Sequence, residues 1–242
     1  MKSIFHPAGE RGHANFGWLD SHHSFSFGRW YDPGKIHFGA LRVLNDDTVR
    51  AGAGFGTHPH DNMEIVSIPL SGFLKHRDST GTDGLIQTGD VQIMSAGSGI
   101  EHSEYNGSKT DAVEFLQIWV YPKLADIKPR YAQKSFDEAG RKQQWQVVVS
   151  PDADSTGVSI NQDAVFSLAA LEAGTSLKYQ KHFENNGVYF FLLEGTVNIN
   201  GQELQRRDGF GVWNTDDITV TAGTAAKVLA IEVPMLTEAD LN

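Results

Sequence analysis

Apolar residues along this chain come in short runs cut by Gly, Asp and Pro, with almost no 3.6-residue period. Glu-Ile-Val-Ser-Ile at 64–68, Val-Gln-Ile-Met at 91–94, Glu-Phe-Leu-Gln-Ile-Trp-Val at 114–120 and Val-Tyr-Phe-Phe-Leu-Leu at 188–193 set the pattern. Runs of this length, rich in β-branched and aromatic residues, predict strands. The best helical candidates are residues 135–139 and the polar tail from Thr237. A polar stretch at 121–142, holding Pro122 and Pro129, separates two strand-rich halves and reads as their connection. The halves echo each other. Leu-Ser-Gly at 70–72 and the strand after it resemble Leu-Glu-Gly at 193–195 and its successor; Gly89-Asp90 and Asp208-Gly209 then lead into further apolar strands. The pattern predicts an all-β protein of two tandem barrels or jelly rolls, each closing a sheet on itself, with domains at 1–133 and 134–242.

Composition narrows the chemistry. The 242 residues include 25 glycines, in keeping with tight turns, and no cysteine, which excludes disulfides, thiolate metal sites and cysteine nucleophiles. A bound metal must then rely on imidazole and carboxylate. The formal charge of −10 argues against direct nucleic-acid binding, and the densest basic stretch, Arg206-Arg207, runs straight into Asp208. No apolar run is long enough to span a membrane and the first residues lack the apolar core of a secretory signal, so a cytoplasmic location is expected.

His58-Pro59-His60 is the first chemical feature. Residues two apart in a strand share a face, so both imidazoles project together. Pro59 supplies no backbone donor and places this strand at an edge or mouth. His102-Ser103-Glu104 repeats the spacing with an imidazole and a carboxylate. Two such pairs on adjacent strands can converge on one cation, and nitrogen-plus-carboxylate ligation suits Fe(II), Mn, Ni, Cu, Co or Zn. Gly97 and Gly99 supply the turn that brings His102 back. His76 and Asp78 share one face and suit either strand-end packing or support of a ligand imidazole. Among His13, His22, His23 and His37, neither spacing nor an adjacent carboxylate supports a separate metal site; His22 or His23 is expected to pack at the pocket. Phe25, Phe27, Trp30 and Phe38 are expected to be core or domain-packing aromatics, and Met63 and Met94 apolar filler.

Residues 52–72, G-A-G-F-G-T-H-P-H-D-N-M-E-I-V-S-I-P-L-S-G, resemble the first cupin motif, and 89–104, G-D-V-Q-I-M-S-A-G-S-G-I-E-H-S-E, resemble the second in the form used by pirins. The opening R-G-H-A-N-F-G-W-L-D at 11–20, H-S-F-S-F-G at 23–28, Y-D-P at 31–33 and L-R-V-L-N-D-D at 41–47 continue the similarity to the pirin family over essentially the whole chain, bacterial pirin-like quercetin 2,3-dioxygenases above all. The resemblance implies a bicupin with one divalent metal in its N-terminal half, Fe(II) first among the candidates, held by His58, His60, His102 and Glu104. It places Glu64 in the pocket or its wall, off the metal, and leaves the C-terminal cupin metal-free, with His182 structural or at the surface.

The activity so implied is cleavage of a flavonol such as quercetin by O₂, releasing carbon monoxide, with Glu104 as the base nearest the substrate hydroxyl and Glu64 as the alternate base. Two other readings attach to the same site. One is a metal- or redox-dependent regulatory protein that binds a protein partner; the other is a non-oxidative zinc enzyme such as an isomerase. A monomer is expected, because two fused cupins can bury in each other the faces that single cupins bury by pairing.

Overall fold

The computed structural model describes residues 1–152 and 156–236, so the tail from Thr237 lies outside the described residues. The first half contributes β1 (Lys2–His6), β2 (Gly12–Asn15), β3 (Leu19–His23), β4 (Leu41–Val49), β5 (Gly54–His60), β6 (Glu64–Ser71), β7 (Phe73–Asp78), β8 (Asp83–Gln87), β9 (Asp90–Ser95), β10 (Ile100–Asn106), β11 (Val113–Val120) and β12 (Arg130–Ser135). The second contributes β13 (Gln146–Ser150), β14 (Val158–Ser159), β15 (Val165–Leu171), β16 (Ser176–Tyr179), β17 (Asn186–Glu194), β18 (Val197–Ile199), β19 (Gln202–Leu204), β20 (Gly209–Trp213), β21 (Ile218–Ala222) and β22 (Ala226–Pro234). Residues 135–139, a helical candidate by sequence, instead end β12 and enter a 3₁₀ turn at Glu138–Arg141. The Asp137 carboxylate caps that turn by accepting from the Ala139 N–H at 2.9 Å.

Each half pairs a seven-stranded sheet with a four-stranded one. The orders are β12-β9-β6-β11-β4-β3-β2 with β5-β10-β7-β8, and β1-β20-β17-β22-β15-β13-β14 with β16-β21-β18-β19. The two sets correspond in strand order except at one end, where β2 pairs antiparallel with β3 but β14 pairs parallel with β13; the weak sequence repeat is a structural one and the fold is a bicupin. The outermost strands are exchanged. β12, which precedes the second barrel, pairs with β9 of the first, while β1, which precedes the first barrel, pairs with β20 of the second. The expected division at 133/134 therefore differs from the sheets: residues 2–6 belong to the C-terminal sheet, and β12 runs through the boundary. The exchange covers two sheet edges whose backbone groups would otherwise lack partners.

Strand alternation explains where the cores sit. On β6, Val66 and Ile68 face outward from the barrel, joined by Leu116 and Ile118 of β11 and Leu44 of β4; across from them stand Phe166, Phe191, Leu229 and Ile231 of the second half. The two large sheets thus pack face to face in one apolar layer, which also takes Phe25 and Phe38, as expected of them. The barrel interiors differ. The second is one continuous apolar cluster, with Tyr179, Phe190, Ile218 and Val220 standing where the first barrel carries polar side chains. The first is split into a cluster around Leu74, Val113 and Phe115 and another around Ile65, Met94 and Ile100. Between them runs a row of cross-strand neighbours in register, His23–Asn45–Gln117–Ser67–Gln92, from β3 to β9. All five are buried. A polar row this deep is costly unless it has work to do.

Candidate metal centre

The small sheet of the first barrel faces that polar row. β10 pairs with β5 on one side and β7 on the other, which puts His102 opposite His58 and Asp78, and Glu104 opposite His76. Between His102 and Glu104 the register slips, with Glu104 opposite Phe55. This bulge aims the carbonyl of Gly56 at the His58 ring. The His58 Nδ1–H donates to it at 2.8 Å, leaving the Nε2 lone pair directed inward, 3.1 Å from His102 Nε2. The donor atoms of His58, His60 and His102 all lie within 4.8 Å of one another. The turn before β10 depends on Gly97, whose φ is 48° and where a Cβ would meet the Ile127 carbonyl oxygen at 2.0 Å.

Glu104 is buried and shares a second cluster with His76 and His102. Ser67 Oγ donates to one carboxylate oxygen at 3.2 Å and Gln117 Nε2 to the other at 2.9 Å. The Trp119 N–H donates to Gln117 Oε1 at 3.4 Å, which fixes which end of the amide faces Glu104. Neither Ser67 nor Gln117 stood out in the sequence; the available signal was a lone polar residue inside an apolar strand. His76 donates Nε2–H to Asp78 at 3.0 Å, and Asp78 is itself held by Thr80 and Thr82. The remaining nitrogen of His76 is buried with no protein partner. The pair stands beside His102 at a ring-centroid distance of 5.3 Å but forms no hydrogen bond to it, and His102 Nδ1 is also buried without a protein partner, so the packing alternative describes its contacts.

The electrostatics lack one component. Burial holds His60 down to about 4, and burial together with the neighbouring imidazoles holds His102 down to about 2, so both are neutral with lone pairs available. Burial pushes Glu104 up to about 7 despite its two donors, and no cationic side chain among the described residues offsets it. Neutral imidazoles beside a buried carboxylate without a counter-charge are the donor set of a divalent cation; His58, His60 and His102 form one such group, and Glu104 joins His102 and His76 in a second.

Glu64 is not part of this arrangement. It lies on the opposite parity of β6 from Ser67, so its carboxylate points into the seam between the halves. There it accepts from Ser95 Oγ at 2.8 Å and from the Asn161 backbone N–H at 3.0 Å. The expectation that it sits in the pocket or its wall is corrected by that alternation. A further correction concerns His13 and His22. Strand pairing brings Asp20 beside them, 2.8 Å from His13, so a carboxylate that the linear sequence left unconnected is adjacent after all.

The metal cluster opens onto a cavity of about 860 Å³. Its walls carry Phe16, Trp18, Phe27, Trp30, Phe55 and Trp119, so Phe27 and Trp30 serve the cavity where the sequence suggested core. Trp119 packs edge-on to His60 at 5.0 Å and to Phe27 at 5.4 Å. His23, expected near the pocket, lines it together with Ser21, Asn45 and Asp47.

The profile of the pirin family matches residues 5–120, and that of the quercetinase C-terminal cupin domain matches residues 147–233. A curated relative from Escherichia coli strain K12, named quercetin 2,3-dioxygenase, is 44% identical over 227 residues, covering 94% of this chain and 96% of its own. A Pseudomonas aeruginosa relative named as a putative quercetin 2,3-dioxygenase is 40% identical, covering 94% and 97%. The crystal structure of the Escherichia coli bacterial pirin YhhW in complex with nickel(II) superposes with a TM-score of 0.91 at 41% identity, over 97% of this chain and 100% of that one. With the two-barrel fold and the histidine–carboxylate cluster in its first barrel, this chain belongs to the pirin family, and in sequence it is quercetin 2,3-dioxygenase-like over nearly its whole length.

Proposed function

We propose that this protein is a metal-dependent dioxygenase that cleaves a flavonol such as quercetin with O₂ and releases carbon monoxide. The observation that carries the reading is a group of three imidazoles, His58, His60 and His102, joined through His102 to Glu104, with His58, His60 and Glu104 lining an aromatic-walled cavity large enough for a multi-ring substrate; we assign all four to one metal. When bound, a divalent metal supplies Lewis acidity toward a substrate hydroxyl and, if redox-active, a route for electrons to O₂. Fe(II) remains the first candidate on the donor set, and the nickel-bound relative makes Ni(II) the natural second.

The protein's own residues do the rest. Glu104, held by Ser67 and Gln117, is the group placed to take the substrate hydroxyl proton at one of its two oxygens. His76, oriented by Asp78, backs both His102 and Glu104. Trp119, Phe27 and Phe55 flank the flat substrate and exclude water from the ring being opened. The second barrel carries no equivalent cluster among the described residues, and its role is to bury the outer face of the first. We propose a monomer, supported by that packing, with light scattering as its check.

No helix of the described residues is long and apolar enough to cross a membrane. The decisive experiment pairs metal analysis of the purified protein with aerobic loss of quercetin absorbance, oxygen uptake and carbon monoxide release on the same sample. Turnover proportional to bound metal supports the proposal. Turnover under argon points to the non-oxidative reading, and metal-state-dependent capture of one defined protein without turnover points to the regulatory one.

A further inference from the structure

The cavity has a second polar region away from the metal cluster. Ser21 and His23 of β3 stand beside Asp47 and Asn45 of β4, in register. All four are buried and all four line the cavity, whose wall also carries six Phe and Trp side chains. From Gln117, which holds Glu104, the row passes to Asn45 and then His23, two strand spacings or about 10 Å.

The hydrogen bonds here have a direction. The single hydroxyl proton of Ser21 goes to Asp47 Oδ1, so at 2.8 Å it is the His23 Nε2–H that donates to Ser21 Oγ. That leaves His23 Nδ1 as an acceptor, buried with no protein donor. Asn45 Oδ1 is in the same condition. Asp47 accepts from Ser21 and has no cationic partner. Two acceptors of the region, His23 Nδ1 and Asn45 Oδ1, are therefore without a donor, and buried acceptors are costly in that condition. No metal ligand is among these residues, and the metal cluster does not use them.

We infer that Ser21, His23, Asn45 and Asp47 form a recognition subsite for hydroxyl donors at the end of an aromatic substrate remote from the metal. The inference rests on the aromatic-substrate reading above and adds a specificity to it: the ligand class is a polyhydroxylated aromatic. Phenolic O–H groups match the unpaired acceptors, and a flat ring system bridges the two strand spacings between this wall and the Glu104 end. An analogue lacking the remote hydroxyls leaves the same acceptors desolvated and unpaired, which penalises it even though it is more apolar.

The test measures equilibrium binding of quercetin and of 3-hydroxyflavone, which shares the metal-binding end and lacks the remote hydroxyls, to the metal-loaded protein without oxygen. Quercetin should bind about 10- to 100-fold more tightly than 3-hydroxyflavone. The ratio should collapse to within about threefold in Asn45→Leu and in His23→Phe, which remove the two unpaired acceptors, each checked for folding and metal content. Two variants are used because either buried change alone can perturb folding; the wild-type ratio needs neither. Equal affinities in the wild type, no binding of either compound, or a ratio unchanged in a folded variant would each overturn the subsite. Oxygen uptake is read separately: discrimination in binding without oxygen uptake leaves the subsite standing and removes the dioxygenase assignment.

Discussion

Gln117 donates its amide N–H to Glu104 across 2.9 Å from the middle of a strand whose neighbours on the other face, Leu116 and Ile118, sit in the apolar layer between the halves. The large sheet thereby sets the orientation of a carboxylate carried by the small sheet. One amide joins the two walls of the barrel at the metal centre.

Replacing that amide is the most direct probe of the arrangement. Gln117→Leu keeps the volume and removes the donor to one Glu104 oxygen. Metal affinity is expected to fall about 10- to 100-fold, the usual effect of losing a group that orients a ligand. Competition against a chromophoric chelator measures it. An unchanged affinity would mean that Ser67 alone suffices to hold the carboxylate.

His102→Ala should release the metal and leave the fold. The side chain is buried, so a destabilisation of about 1–3 kcal/mol is expected from the lost packing. The apolar layer between the halves does not involve it. Wild-type protein should carry one metal per chain and the variant none after dialysis, both with the same β-rich circular dichroism. Two tightly held equivalents in the wild type would contradict the filled second barrel, where Tyr179 and Phe190 occupy the interior.

The two i, i+2 pairs were readable in the sequence, but how they meet was not: the three imidazoles His58, His60 and His102 form one group, and Glu104 reaches it through His102 in a second group with His76. Glu64 was misread because a motif gives spacing and not parity. The same alternation that turns Ser67 toward Glu104 turns Glu64 away from it, and which face is inside was not legible until β6 had neighbours on both sides. The exchange of β1 and β12 was hidden for another reason. Phe5 pairs with Phe210 across nearly the whole chain, and nothing local marks such a partner. Asp20 beside His13 and the acceptors at Asn45 and Asp47 are likewise products of strand register, absent from any linear motif.

His6 gives a pH-dependent reading of that exchanged strand. It is buried on β1 with Nδ1 3.0 Å from the Tyr189 hydroxyl, and burial, reinforced by Lys35, lowers it from 6.5 to about 4. The folded state thus binds the proton less readily than the unfolded one. Its contribution to stability is complete above 6.5 and is lost as pH falls toward 4, at no more than about 1.4 kcal/mol per pH unit. Thermal unfolding of metal-free protein between pH 7 and 4 should fall less steeply in His6→Gln than in the wild type. Identical slopes would show that β1 stays attached without regard to the charge on His6.

The two buried glutamates should separate cleanly by function. In Glu104→Gln the carboxylate that receives Ser67 and Gln117 becomes an amide, so one of its two acceptor positions turns into a donor facing a donor. On the proposed function, the charge that would bind the cation and the site that would take the substrate proton are lost together. A weakened metal site and a loss of about 10²- to 10⁴-fold in flavonol turnover per bound metal are expected. Glu64→Gln meets different surroundings. Ser95 and Asn161 both donate to the same oxygen, while the other has no protein donor, so an amide can keep its carbonyl toward the pair and place its NH₂ on the free side. Burial already favours the uncharged form of Glu64, but the amide NH₂ meets no acceptor on that buried side, so a cost of about 1–3 kcal/mol of stability is expected. Metal content and turnover should stay at the wild-type level, because the side chain faces the seam and not the cavity. Quercetin loss normalised to measured metal decides between the two. A dead Glu64→Gln beside an active, metal-loaded Glu104→Gln would mean that the seam between the halves, and not the cavity wall, governs the proton transfer.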